Sequence, residues 1–230
     1  KKEPKLLEIF NSKVTRDFSL VIEGEERFFE IDAVPLGNPH NGTDKMLKSI
    51  RDVTEVRKIQ EKLKVLATID SLSGLFNRSE FMNLAHKDFV WSKKQGENFS
   101  LLMMDLDCFK SINDSFGHAA GDEVIRERGR LIRSNFRKTD IAGRIGGEEF
   151  ALVLKNTSLK EAMKAAEQFR KIVAEEKVIY GKQEINFTVS IGVATICFDN
   201  NDSSNIEELL KKADDALYKA KAKGRNCVAI

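Results

Sequence analysis

Apolar positions change their spacing along this chain, and each change marks a different kind of element. Before about residue 54 they alternate with polar ones: Phe18, Leu20 and Ile22 on one side of the polar break Glu23-Gly24-Glu25-Glu26, Phe29, Ile31 and Ala33 on the other. A period of two around a Gly-containing polar cluster predicts a β-hairpin, with strands at 18–22 and 27–34. A loop is expected at 35–42 and a third strand at 45–53. Three strands bury little core alone, so this segment must pack on another domain or another chain. From Val56 the spacing becomes three and four, through Ile59, Leu63 and Leu66 with charges between. That stripe predicts a helix that packs on its own domain or, the favoured alternative, pairs in a parallel coiled coil.

Beyond residue 70 the two periods alternate. Helices are expected at 78–94, 159–175 and 206–223, with a helical stretch at 110–136 broken near Gly117. Strands are expected at 100–106, 141–145, 150–154, 185–196 and 227–230. The central order β-α-β-β-α-β makes the fold α+β, with a ferredoxin-like, largely antiparallel sheet. It carries an N-terminal β-rich fragment and a linker helix. In that arrangement the end of the 100–106 strand lies beside the turn between 141–145 and 150–154.

Those two places hold the candidate chemistry. The apolar run 99–104 ends in Asp105-Leu106-Asp107, and the turn reads Arg144-Ile145-Gly146-Gly147-Glu148-Glu149-Phe150. Paired glycines let a hairpin turn tightly and let a phosphate approach closely. Strand alternation sends the two glutamates to opposite faces. Carboxylates at a strand end facing others at a hairpin tip are costly unless a cation meets them, and together they suit hard divalent ions held against phosphates.

At these residues the chain resembles the GGDEF family of diguanylate cyclases, in a Gly-Gly-Glu-Glu-Phe variant. Further matching motifs follow in family order. They are Asp70-Ser71-Leu72-Ser73-Gly74-Leu75-Phe76-Asn77-Arg78 (with Ser73 where Thr is usual), Phe109-Lys110, Ile112-Asn113-Asp114, Phe116-Gly117-His118 and Gly121-Asp122. After the signature come Ser190-Ile191-Gly192-Val193-Ala194, Ala213-Asp214-Asp215-Ala216-Leu217-Tyr218, and Lys221 through Gly224-Arg225-Asn226. The resemblance covers residues 70–230. It implies the palm-like architecture of polymerases and nucleotide cyclases. Residues 1–54 resemble the last strands of a PAS sensor domain, with Asp52-Val53-Thr54 as its closing motif, and 55–69 become a signalling linker.

The resemblance implies condensation of two GTP into cyclic di-GMP and two pyrophosphates across a homodimer, with two Mg²⁺ (or Mn²⁺) per active site. The expected metal ligands are Asp105, the Leu106 carbonyl and Glu148, with Glu149 as a further ligand or outer partner. Glu148 and Glu149 are the catalytic candidates. Guanine offers N1–H and an N2 amino group, which suit a carboxylate and an amide; by motif position these are Asp122 and Asn113, with His118 beside them. Helix capping near Gly117 is the plainer role for the first two, and packing for His118. Phosphate contacts are expected from the Phe109 and Lys110 amides at a helix start and from the Lys110, Lys221 and Arg225 side chains. Lys221 and Arg225 stand four apart, which on one helix would let both face one anion. Arg144 either touches substrate or pins the hairpin.

Arg137-Lys138-Thr139-Asp140 precedes Gly146 with five residues between, the spacing of the family's inhibitory product site. Arg137 and Asp140 can read guanine's O6/N7 and N1/N2 edges; an exposed salt bridge is the simpler reading. Where relatives carry a further Arg, this chain has Gln168, with Arg170 nearby, which bears on how tightly product would bind.

A net charge of +2 gives no basic field for nucleic acid. Cys108, Cys197 and Cys227 make no disulfide or metal spacing, which fits a reduced cytoplasmic setting. No apolar run reaches membrane-spanning length, so no membrane contact is expected of this piece. The first residue is Lys, which suggests a fragment of a longer, membrane-anchored sensor. Two further readings compete with an active enzyme: a catalytically silent receptor for GTP or cyclic di-GMP, and a purely structural dimerisation module.

Overall fold

The computed structural model describes residues 14–36, 45–198 and 205–230. The chain divides at Val65/Leu66 into two units. In the first, β1 (Val14–Ile22), β2 (Glu25–Leu36) and β3 (Lys45–Asp52) form an antiparallel sheet in the order β1-β2-β3. Glu23 and Gly24 turn the β1–β2 hairpin with positive φ of 54° and 82°, the two-residue geometry whose twist matches the strands. Phe18 and Phe29 face each other across it, rings stacked 5.4 Å apart. β2 runs through Pro35 and Leu36, so the loop expected from 35 starts later; its remainder, from 37, lies outside the described residues.

Thr54 closes this unit. Its hydroxyl accepts the Phe28 N–H at 2.8 Å and its own N–H donates to Asp52 Oδ1 at 2.9 Å, which starts α1 (Thr54–Thr68). Arg57 pairs with Asp17 and lies over the Phe28 ring. Val56, Ile59, Leu63 and Leu66, the expected stripe, are 53%, 54%, 59% and 73% exposed.

The second unit is built on a five-stranded sheet in the order β10-β9-β4-β6-β5. Its strands are β4 (Asn98–Leu106), β5 (Ile141–Arg144), β6 (Glu149–Lys155), β9 (Val189–Cys197) and the short β10 (Val228–Ala229). Strands β9, β4, β6 and β5 are antiparallel in the ferredoxin-like order, and β10 adds in parallel at the edge. β4 sits in the middle and is buried on both faces, which explains its unbroken apolar run. Leu102, Met104 and Leu106 point to a core shared with α3 (Phe109–Phe116), α4 (His118–Asn135) and α5 (Leu159–Glu175). Phe99, Leu101 and Met103 point to a second core under α2 (Arg78–Gln95) and α6 (Ile206–Ala222). The result is three layers, helices on both sides of one sheet.

Helix starts follow their caps: Asn77 before α2, a Ser158–Glu161 capping box before α5 and Asn205 before α6. Gly117, at φ 86°, separates α3 from α4 as expected. One strand expectation needs correction. The stretch 185–196 is two strands, β8 (Gln183–Asn186) and β9, and β8 pairs with an unforeseen β7 (Lys177–Tyr180) in a hairpin apart from the main sheet. The chain breaks at Thr188, whose carbonyl accepts the Asp107 N–H at 3.0 Å and whose hydroxyl donates to Asp107 Oδ2 at 2.7 Å. Those bonds hold Thr188 beside β4, so the chain leaves the β7–β8 hairpin before it joins the main sheet.

Candidate active site

The site forms where β4 ends. The antiparallel register sets Asp105 opposite Glu149 on β6 and opposite Ser190 on β9. Cross-strand partners share a face, so Glu149 is the glutamate on Asp105's side. Glu148 lies half-buried at the hairpin tip, its carbonyl accepting the Leu106 N–H at 3.3 Å. Neither Gly146 nor Gly147 has positive φ, so the hairpin does not use their left-handed freedom, and only Gly146 is required for space. A Cβ on Gly146 would stand 2.5 Å from Glu149 Oε2, whereas one on Gly147 meets nothing within 4 Å. Arg144 pins the hairpin: its guanidinium donates to the Gly147 carbonyl at 3.0 and 2.7 Å and pairs with Asp70 at 3.1 Å.

Asp105 is 6% exposed and its counter-charge is Lys221, whose Nζ lies 2.7 Å from Oδ2. Burial pushes the Asp105 carboxyl up, while Lys221 pulls it back down. Lys221 reaches it from the last turn of α6, so the lysine expected at phosphate here neutralises a carboxylate. Asp107, equally buried, is committed to structure: it accepts from Thr188 Oγ1 (2.7 Å), Ser190 Oγ (2.6 Å) and the Asn226 N–H (2.9 Å). Asn226 is gripped in turn by Arg170 Nη1 at 2.7 Å. Sequence reasoning gave Asp107, Thr188, Ser190 and Asn226 no site role, although Asp107 stands in the acidic run that ends the strand.

The donor set fits a hard divalent ion of the Mg²⁺ kind. Such ions take one or two protein carboxylates and complete their shell with phosphate oxygens and water. Among the described residues no three His, Cys, Asp or Glu side chains converge as a ready cage. The protein's share is a buried Asp105, already held against a cation, with Glu149 across the ladder.

The remaining substrate candidates lie on α3 and α4, which follow β4, and just after α6. Cys108 turns the chain at φ 55°, and buried Phe109 and exposed Lys110 open α3, where first-turn amides have no intrahelical acceptor. Half-buried Asn113 and Asp122 do not cap helices: α4 has no side-chain cap, and the Asn113 amide lies where a Cβ on Gly121 would be, 2.0 Å from Oδ1. Gly121 thus lets the amide reach the first turn of α4 beside Asp122. His118 is exposed, which removes the packing role. Arg225 is corrected in one respect: α6 ends at Ala222 and Arg225 sits beyond it at φ 66°, so the helical four-residue spacing with Lys221 does not hold.

Arg137 and Asp140 form a closed turn, Arg137 N–H to Asp140 Oδ2 and Asp140 N–H to the Arg137 carbonyl, both 3.0 Å. Among the described residues their side chains make no salt bridge with each other. Burial pushes the Asp140 carboxyl up. The turn borders a cavity of about 490 Å³ that Asn156, Gln168, Phe169 and Lys171 also line.

Comparison with known proteins covers most of the chain. Residues 67–227 match the family described as diguanylate cyclase, GGDEF domain. "Diguanylate cyclase A" of Treponema denticola is 38% identical over 83% of this chain and 52% of its own length. The Escherichia coli "Diguanylate cyclase DgcM" is 40% identical over 81% of this chain and 44% of its own. The chain therefore spans about half the length of these relatives. Among solved structures, the coiled coil and GGDEF domain of DgcB from Caulobacter crescentus, in complex with c-di-GMP, aligns with TM-score 0.71 at 28% identity. That alignment covers 77% of this chain and 92% of DgcB's. The active GGEEF domain of a Vibrio cholerae diguanylate cyclase aligns with TM-score 0.61 at 35% identity, covering 67% and 96%.

Proposed function

Because this chain belongs to the diguanylate cyclase GGDEF-domain family, we propose that it condenses two GTP into cyclic di-GMP, releasing two pyrophosphates. The observation that carries this is the buried Asp105 at the end of β4, set opposite Glu149 and neutralised by Lys221 at 2.7 Å. Each 3′-hydroxyl attacks the α-phosphate of the other nucleotide, so two sites must face each other. Charge neutralisation and positioning dominate such a transfer. Two divalent ions, Mg²⁺ or Mn²⁺, would be held by Asp105, the Leu106 carbonyl, Glu148 and Glu149; they supply a lowered hydroxyl pKa and charge neutralisation on the triphosphate. Glu148, half-buried at the tip, or Glu149 takes the hydroxyl proton. Lys221, which now holds Asp105, would with a bound ion there be free to bind phosphate beside the Phe109 and Lys110 amides, Lys110 and Arg225. Asn113 and Asp122 read guanine, with His118 at the edge.

The exposed stripe of α1 supports homodimerisation through a parallel coiled coil. Residues 1–54 act as the closing part of a PAS-like sensor, 55–69 as the signalling linker and 70–230 as the cyclase. Arg137 and Asp140, at the mouth of the 490 Å³ cavity, bind product as a brake. Free cysteines fit a cytoplasmic setting, and among the described residues no helix is long and apolar enough to cross a membrane.

The test is incubation with GTP and Mg²⁺ across protein concentration, with products resolved by chromatography. Cyclic di-GMP should form at a rate rising more steeply than protein concentration. No product at high concentration, with GTP or cyclic di-GMP still bound, would leave a silent receptor instead.

A further inference from the structure

Arg128, in the middle of α4, is fully buried, and none of its three guanidinium nitrogens has a hydrogen-bond partner among the described residues. The rings of Phe150 and Phe169 flank it at 5.3 and 5.2 Å, contacts that help hold a cation in place of water. Its neighbours along the inner face of α4, Val124, Ile125, Leu131 and Ile132, are all apolar. An apolar residue would fill the position without the cost of burying an unpaired charge. Burial holds the guanidinium down at about 9 against the upward pull of Asp105 and Asp107, so it stays charged at neutral pH. Phe150, whose ring it lies over, is opposite Met104 and next to Glu149, so the charge sits behind the end of β4 on the α4–α5 side, whereas Lys221 meets Asp105 from α6.

We infer that Arg128 is a positioning residue for the metal and triphosphate: a fixed cation behind the sheet that opposes a bare divalent ion at Asp105 and favours the polyanionic nucleotide. A charge in this dry layer acts at longer reach than one in water. Ion and nucleotide then enter together, each offsetting the field that the other meets. The inference rests on the reading of Asp105 as a metal ligand. It gives position 128 a role that packing alone does not, because packing does not distinguish the sign of a ligand's charge.

The experiment compares wild type, Arg128→Met and Arg128→Lys in the full chain. Mn²⁺ binding without nucleotide is read from the free-ion EPR signal, and GTP binding in EDTA by calorimetry. Removing the charge should tighten Mn²⁺ by roughly tenfold and weaken GTP several-fold, while Arg128→Lys stays near wild type. Arg128→Gln, which loses the charge and keeps a polar stem, gives the same comparison should the Met variant not fold. Affinities that shift in the same direction, or not at all, overturn the inference. If the wild type makes cyclic di-GMP but the variants show no such opposite shifts, this inference alone fails; a wild type that binds no Mn²⁺ and makes no product sinks the cyclase reading with it.

Discussion

Replacing Lys221 with Met isolates the charge balance on which the site depends. The ammonium lies 2.7 Å from Asp105 Oδ2, with side chains 35% and 8% exposed. Truncating one member of a fully buried pair costs about 3–5 kcal/mol, and an exposed pair is worth about 0–1. Here one end is dry and the other reaches water, so removal should cost about 2 kcal/mol. For a domain of this size that lowers the unfolding temperature by about 4–8 °C in EDTA. A divalent ion can take over as counter-charge, so millimolar Mg²⁺ should recover at least about half of the loss. Differential scanning calorimetry in EDTA and in Mg²⁺ reads both numbers. An equal deficit in the two buffers would mean that Asp105 does not receive the ion, and the metal assignment would fail with it.

Gly146→Ala places a Cβ where Glu149 Oε2 now lies; the flexible end can move, so stability should hold while cyclic di-GMP formation falls at least about tenfold. Undiminished turnover would free Glu149 from its assigned position. For Asp70, burial pushes the carboxyl up, but the Ser73 N–H and hydroxyl and Arg144 outweigh it and leave the group below its ordinary 3.8. The unfolded chain then binds more protons, so this contribution is present above about pH 4 and disappears as pH falls through that range. Arg144→Met should accordingly destabilise the protein at neutral pH, with its difference from wild type narrowing in urea titrations toward about pH 3. At Asp140 burial raises the carboxyl, so a product that needs the ionised form should inhibit less at about pH 5 than at about pH 7. Inhibition unchanged over that interval would remove Asp140 from guanine recognition.

Much of this architecture is legible in spacing alone. β4 reads as a continuous apolar run because both its faces are covered, and Gly117 announces the α3–α4 break because only a few residues accept its φ. The β7–β8 hairpin does not read, since its strands are only four residues long and the break at Phe187-Thr188, where Thr188 bonds to Asp107 81 positions away, interrupts no apolar pattern. Arg128 hides in Arg126-Glu127-Arg128-Gly129-Arg130, which looks like a solvated run. Yet Arg126 and Arg130 are exposed and paired to Glu123 and Glu127 one turn back, while position 128 aligns with Val124, Leu131 and Ile132. The helical period held that signal. Lys221 was found by motif, but its partner follows from α6 packing against the sheet, which no local pattern records.

Asp107 gathers donors from residues 188 and 190 on one segment and 226 on another, both remote from it in the chain. Such a hub makes substitutions interdependent: once one donor is lost, the loss of the next costs a different amount, and combined variants will not sum. Saturation scanning one position at a time would score Asp107 as intolerant, yet could miss joint replacements that keep the same segments tied. Evolution of this strand end is thus expected to proceed by coordinated exchange.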